Sequence, residues 1–155
     1  MVVDVIIPVY RPEREKLTKL IDWLNKQTVK PSRVFFMQTL VEKNEDEEVL
    51  QMLQKAENVE IVPIEKKDFD HGGTRNKGAA LSKADYMLFM TQDAVPVDAY
   101  LIENLVQAME EEEAATAYGR QLPDDTVGVI EHYTREFNYP AKSYVKSQKD
   151  LETMG

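Results

Sequence analysis

Apolar and polar positions follow two rhythms along this chain, one with a period of two and one near 3.6. Val2 to Ile7 is β-branched and apolar apart from Asp4, which predicts a first strand. Pro8 is expected to end its hydrogen bonding, with Val9-Tyr10-Arg11-Pro12 turning the chain at the strand's carboxyl end. Leu17, Leu20, Ile21 and Leu24 then recur at helical spacing behind Pro12, and Pro31 prevents continuation. Arg33 to Val41 reads as a second strand with a polar break at Gln38-Thr39. Glu45 to Ala56 reads as an amphipathic helix burying Val49, Leu50, Leu53 and Ala56. Val59 to Ile64 is a third strand, placed toward an edge by Pro63. Tyr86 to Met90 is a continuous apolar run of the kind that forms a strand buried on both faces. Leu101, Ile102, Leu105, Val106 and Met109 make another helical stripe. Ala115 to Tyr118 suggests a short fifth strand, and Ile130, Tyr133 and Phe137 a last short helix. The alternation of strand and helix favours a three-layer α/β/α sandwich on a mostly parallel sheet, as a single domain over residues 1–155.

Composition narrows the chemistry. The 155 residues carry a net charge of −9, which argues against nucleic acid or a broadly anionic membrane as partner. With no cysteine, disulfides, thiolate metal sites and cysteine nucleophiles are excluded. No apolar run approaches the roughly 18 residues of a spanning helix, and the start lacks a basic, long-apolar secretion signal. The expected location is cytoplasmic, with peripheral association at the inner face of the membrane for a lipid-linked substrate.

The candidate chemistry concentrates between His71 and Pro96. Gly72-Gly73 reads as a tight turn, Thr74 as the cap of a short helix containing Ala79, Ala80 and Leu81. A helix start of this kind offers free N–H groups and a positive dipole end to phosphate, and Arg75 adds a fixed cation there. Asp93 follows the apolar run just beyond a strand's carboxyl end, where open α/β sheets bind ligands. Hard Mg²⁺ or Mn²⁺ prefers such a carboxylate, with phosphate oxygens and water completing the shell. An aspartate in this setting equally suits a turn or a cap, and local sequence does not choose. Asn76 is a candidate for the sugar, Tyr10 for stacking on a base, and Pro8 and Val9 for the apolar floor beneath it. Gln38 is a candidate for a pyrimidine edge, although a polar residue ending a strand needs no such role. Arg120, Gln121 and Arg135 are weaker candidates for the same cleft. His71 and His132 read more simply as solvated or structural residues.

Together these residues resemble the family 2 glycosyltransferases. Val5-Ile6-Ile7-Pro8-Val9-Tyr10 is similar to that family's first strand and nucleoside-contacting loop, and Arg75-Asn76-Lys77-Gly78 to its R-N-x-G donor element. Phe89-Met90-Thr91-Gln92-Asp93-Ala94 falls at its D-x-D motif, and the wording around Thr-Gln-Asp-Ala resembles a rhamnosyltransferase branch. The resemblance implies the GT-A fold with its Rossmann-like sheet, and an inverting, metal-assisted transfer. The donor would be a dTDP- or UDP-sugar, the acceptor a glycan or lipid-linked molecule. It implies Asp93 as the metal-binding acid, with Pro8, Val9, Tyr10, Gln38, Arg75, Asn76 and Gln92 at the donor. Two departures stand out: Thr91 replaces the first acid of D-x-D, and Gln38-Thr39 stands where many members carry an aspartate that reads the base. The family's acceptor half and catalytic base lie further downstream, so the chain is expected to be the donor-binding part of such an enzyme. The alternative is a non-catalytic nucleotide-binding or interaction module of the same fold. A nicotinamide-binding domain is excluded because Pro8-Val9-Tyr10-Arg11-Pro12 holds no glycine-rich loop. A sugar-phosphate nucleotidyltransferase fails on the same loop.

Overall fold

A computed structural model describes residues 1–123, 128–147 and 149–150. The elements in order are β1 (Val3–Val9), α1 (Arg14–Asn25), β2 (Arg33–Thr39), α2 (Lys43–Leu53), β3 (Val59–Ile64), a 3₁₀ turn (Lys66–Asp68), α3 (His71–Leu81), β4 (Tyr86–Phe89), α4 (Leu101–Glu111) and α5 (Val129–Asn138). The chain divides into two compact units, Met1–Asn104 and Leu105–Gly155.

The first unit holds a four-stranded sheet in the order β3-β2-β1-β4, every pair parallel. The register Ile6↔Phe35 and Pro8↔Met37 puts Ile6, Phe35 and Met37 on one face, where they form a buried core with Ile64. Val5, Ile7, Val34 and Phe36 have the opposite parity and are equally buried, so both faces are covered. The chain steps from β1 to β2 to β3 and then returns across the sheet to β4. Right-handed crossovers therefore put α1 and α2 on one face and α3 on the other. Gly78 lets α3 lie close: a Cβ there would sit 2.6 Å from Ile6 Cγ2 and 3.3 Å from Met37 Sδ.

Four expectations change. Gly72 and Gly73 form no special turn: they occupy the first turn of α3, and no described glycine has positive φ. Asp70, not Thr74, caps that helix by accepting a hydrogen bond from Gly73 N–H, so the helix starts earlier than the glycines suggest. The apolar run from Tyr86 makes only a four-residue edge strand, with Met87 47% and Phe89 43% exposed, because nothing among the described residues covers that part of the face. Residues 115–118 form no strand, since a short segment without a hydrogen-bonded neighbour has no ladder to join.

Pro8 behaves in a more particular way than a strand breaker. Backbone groups at even-numbered positions along β1 point to β4, as Val2, just before the strand, and Ile6 show by accepting from Tyr86 and Met90 N–H. Odd-numbered ones point to β2, as Val3 shows by accepting from Ser32 N–H. Proline at an even position lacks only an N–H directed at β4, so β1 pairs with β2 through Val9↔Gln38 while its pairing with β4 ends at Ile6↔Phe89.

Candidate functional site

β1 and β4 are neighbours in space, and the strand order reverses between them; open α/β sheets have their ligand crevice at such a point, outside the carboxyl ends of the strands. Tyr10 stands on the β1 side. Having the even parity, its N–H and C=O are directed toward β4, but β4's backbone has already turned away. Gln92 takes both: its Oε1 accepts from Tyr10 N–H at 2.8 Å, and its Nε2 donates to Tyr10 C=O at 2.9 Å. Tyr10 and Gln92, predicted from separate segments, are thus held in direct contact.

Asp93 follows in a tight turn, with Ala94 N–H donating to Thr91 C=O and Val95 N–H to Asp93 C=O. Its side chain is exposed and has no hydrogen bond or ion pair with the described residues. This separates it from the chain's capping aspartates. Asp70 accepts from Gly73 N–H, Asp98 from Tyr100 N–H and Asp46 from Val41 N–H. The turn that Asp93 occupies is closed by backbone alone, leaving its carboxylate free to face solvent or a cation. Among the described residues, no three His, Cys, Asp or Glu side chains gather into a metal cluster. One free carboxylate at the crevice fits a Mg²⁺ or Mn²⁺ ion that takes its remaining ligands from diphosphate oxygens and water.

The start of α3 reaches the same rim through a chain of ring contacts. Tyr10 stacks on Phe69 with centroids 6.3 Å apart, and Phe69 meets the His71 ring edge-on at 5.0 Å. Arg75 turns back along the helix, its guanidinium donating to His71 C=O at 2.8 Å. Because the helix begins at His71, Arg75 lies one turn in from the start expected of it, and its charge opposes the nearby positive dipole end unless an anion joins it. Asn76 is exposed on the same helix. Phe69 and Asp70 were not among the sequence candidates. The signal was available: an aromatic and a capping acid directly before a glycine-rich helix start.

The carboxyl end of β2 is less open than the sequence suggests. Gln38 is buried, and its Nε2 donates to Asp46 C=O at 3.0 Å, tying β2 to the first turn of α2. It still lines a small recess with Val9, Arg11, Thr39 and Asp46. Thr39 contributes a buried hydroxyl without a hydrogen-bond partner. Arg11 adopts a left-handed backbone with φ of 42°, pairs with Glu45 at 3.8 Å and lies over the Tyr10 ring. Pro8 is half-buried and Val9 buried beneath these loops.

In the second unit, Arg135 donates to Gln121 Oε1 at 2.7 Å, while Arg120 is exposed. His132 Nε2 lies 3.4 Å from Glu136 Oε1 on the same helix. The acids from Glu110 to Glu113 are exposed.

Comparison with known proteins bears on the whole arrangement. The profile described as Glycosyl transferase family 2 matches residues 4–154. The chain is 34% identical to the O-antigen chain rhamnosyltransferase RfbN of Salmonella typhimurium, over all of this chain and 48% of that protein. It is 27% identical to the O-antigen chain rhamnosyltransferase WbaN of Salmonella anatum, over 97% of this chain and 46% of the relative. The chain therefore spans about half the length of these relatives. Among solved structures, residues 1–349 of S. aureus TarS share the fold at a TM-score of 0.57 and 20% identity, over 80% of this chain and 39% of that fragment. The same protein in complex with UDP matches at 0.55 and 19% identity, over 80% of this chain and 38% of that one.

Proposed function

Because the chain belongs to glycosyl transferase family 2, we propose that it is the donor-binding part of an enzyme that moves a sugar from a nucleotide-diphospho-sugar. The acceptor is a glycan or a lipid-linked molecule, and the transfer inverts the anomeric centre. Two relatives named as rhamnosyltransferases support rhamnose as the sugar, and the UDP complex of TarS supports a nucleoside diphosphate as the anchor. The observation that carries the reading is the free carboxylate of Asp93 in the turn beside the Tyr10–Gln92 contact, at the crevice where the strand order reverses.

In this reading the base lies against Tyr10, over Pro8 and Val9, with Gln38 and Thr39 at its edge. The diphosphate meets the start of α3, where Arg75 supplies fixed positive charge and free backbone N–H groups point outward. Asn76 is placed to hydrogen-bond the sugar. Asp93 holds a divalent ion, and that ion would offset the charge developing on the departing diphosphate. Transfer also needs a base to take the acceptor hydroxyl's proton, and we place that group in the acceptor half rather than in these residues.

A thermal-shift measurement tests the proposal. Saturating dTDP or UDP with Mn²⁺ should raise the melting temperature, because a ligand at about 100 times its Kd stabilises the folded state by about 2.7 kcal/mol. A melting temperature indifferent to both nucleotides would favour the interaction-module reading.

A further inference from the structure

Gln92 sits where the resemblance puts a donor ligand, yet both ends of its amide are bonded to the protein's own backbone. The two hydrogen bonds to Tyr10 use one lone pair of Oε1 and one of the two N–H groups of Nε2, with near-ideal lengths of 2.8 and 2.9 Å. Their geometry continues the β1–β4 ladder. The last backbone bond between the strands is Met90 N–H to Ile6 C=O at 3.1 Å. Pro8, the next even residue of β1, has no N–H to offer. At Tyr10, one further step along, a side chain replaces the backbone that β4 no longer provides. The clasp springs from inside the turn that carries Asp93, since Ala94 N–H to Thr91 C=O makes Gln92 and Asp93 its two central residues.

We propose that Gln92 is a positioning residue that clasps the Tyr10 loop to the Asp93 turn and so sets the separation of the base and the metal-bound diphosphate. The inference rests on the donor-site reading above. It reassigns Gln92 from touching the donor to acting through its neighbours on either side of the crevice. Few groups can replace it. Glutamate keeps the acceptor for Tyr10 N–H but sets a carboxylate against Tyr10 C=O. Asparagine has the right chemistry and is one methylene too short. Leucine has comparable bulk and no hydrogen bond.

The test uses the whole chain, with Gln92→Leu, Gln92→Asn and Gln92→Glu beside the parent. Amide hydrogen exchange at Tyr10 is read without ligand, and affinity for UDP or dTDP with Mn²⁺ by calorimetry. In Gln92→Leu, Tyr10 exchange should rise at least roughly tenfold while Ile6 and Ile7 keep their protection, as loss of a local bond in an intact sheet implies. Nucleotide affinity should fall on the order of tenfold, the scale of two lost hydrogen bonds, with little change in melting temperature. Gln92→Asn should not restore it, and Gln92→Glu should fall between. A residue that merely trims the fold would lower the melting temperature and leave affinity alone.

Parent affinity retained in Gln92→Leu would overturn the clasp while leaving the donor-site reading intact. Unchanged Tyr10 exchange in that variant would overturn it as well. If the parent itself binds neither nucleotide, the donor-site reading falls and the positioning role falls with it, whatever the exchange data show.

Discussion

Gly78 is the residue at which the packing of α3 is most sharply decided. The added methyl of Gly78→Ala would meet Ile6 Cγ2, a branched group in a fully buried strand that has nowhere to move. Alanine's better helix propensity, about 1 kcal/mol, offsets only part of that clash. The variant should lose about 1–3 kcal/mol in urea unfolding. Gly72→Ala is the control: its nearest neighbour would be Asp70 Oδ1 at 3.5 Å, an ordinary contact. Its effect should stay within about 0.5 kcal/mol. A second residue-scale prediction concerns Asp4, whose buried carboxylate accepts from Arg33 at 2.8 Å and from the Ser82 hydroxyl at 2.7 Å. Arg33→Met strands that charge and should cost about 3 kcal/mol, measurable by the same unfolding curve. Side-chain commitments of this kind are where the sequence was hardest to read. Nothing local distinguishes Asp93, which is free, from Asp46 or Asp98, which cap backbone. Nothing local shows that Gln38 and Gln92 both use their amides within the protein.

At the scale of elements, period and punctuation carried most of the information. The stripe Leu17, Leu20, Ile21 and Leu24 is the buried face of α1, and the Pro63 strand is indeed at an edge. The misreadings have physical causes. A glycine pair signals a turn only when positive φ is needed, and here a preceding aspartate cap turned it into helix. A run of apolar residues signals double burial only if both faces find cover, and β4 does not. Gln27 shows what periodicity cannot reveal. It is 2% exposed just past the end of α1; its Nε2 donates to Trp23 C=O and Asp98 C=O, and its Oε1 accepts from Ile102 N–H. One amide thereby joins the end of α1 to the first turn of α4, where helical N–H groups lack intrahelical partners. Gln27→Leu should lose about 2 kcal/mol by leaving buried backbone groups unpaired. Its Ile102 amide should exchange faster than the rest of α4.

At the scale of the molecule, strand order matters more than any motif. A parallel sheet ordered β3-β2-β1-β4 has its reversal between β1 and β4, and that alone locates the crevice. The sequence made the fold class legible through its strand–helix alternation, and the family through motifs placed at successive strand ends. The number of strands was overcounted because residues 115–118 have the composition of a strand without a partner. The chain covers about half of its rhamnosyltransferase relatives, so donor capture is the activity to ask of it first. The central claim is that a nucleoside diphosphate is held at this crevice through a divalent ion on Asp93. Calorimetry of UDP and dTDP, with Mn²⁺ and again with the metal chelated, should be run on the parent and on Asp93→Ala. The account predicts that Mn²⁺ strengthens binding to the parent roughly tenfold or more, the scale of one charged contact, and leaves Asp93→Ala unchanged. Equal metal dependence in the two proteins would contradict it.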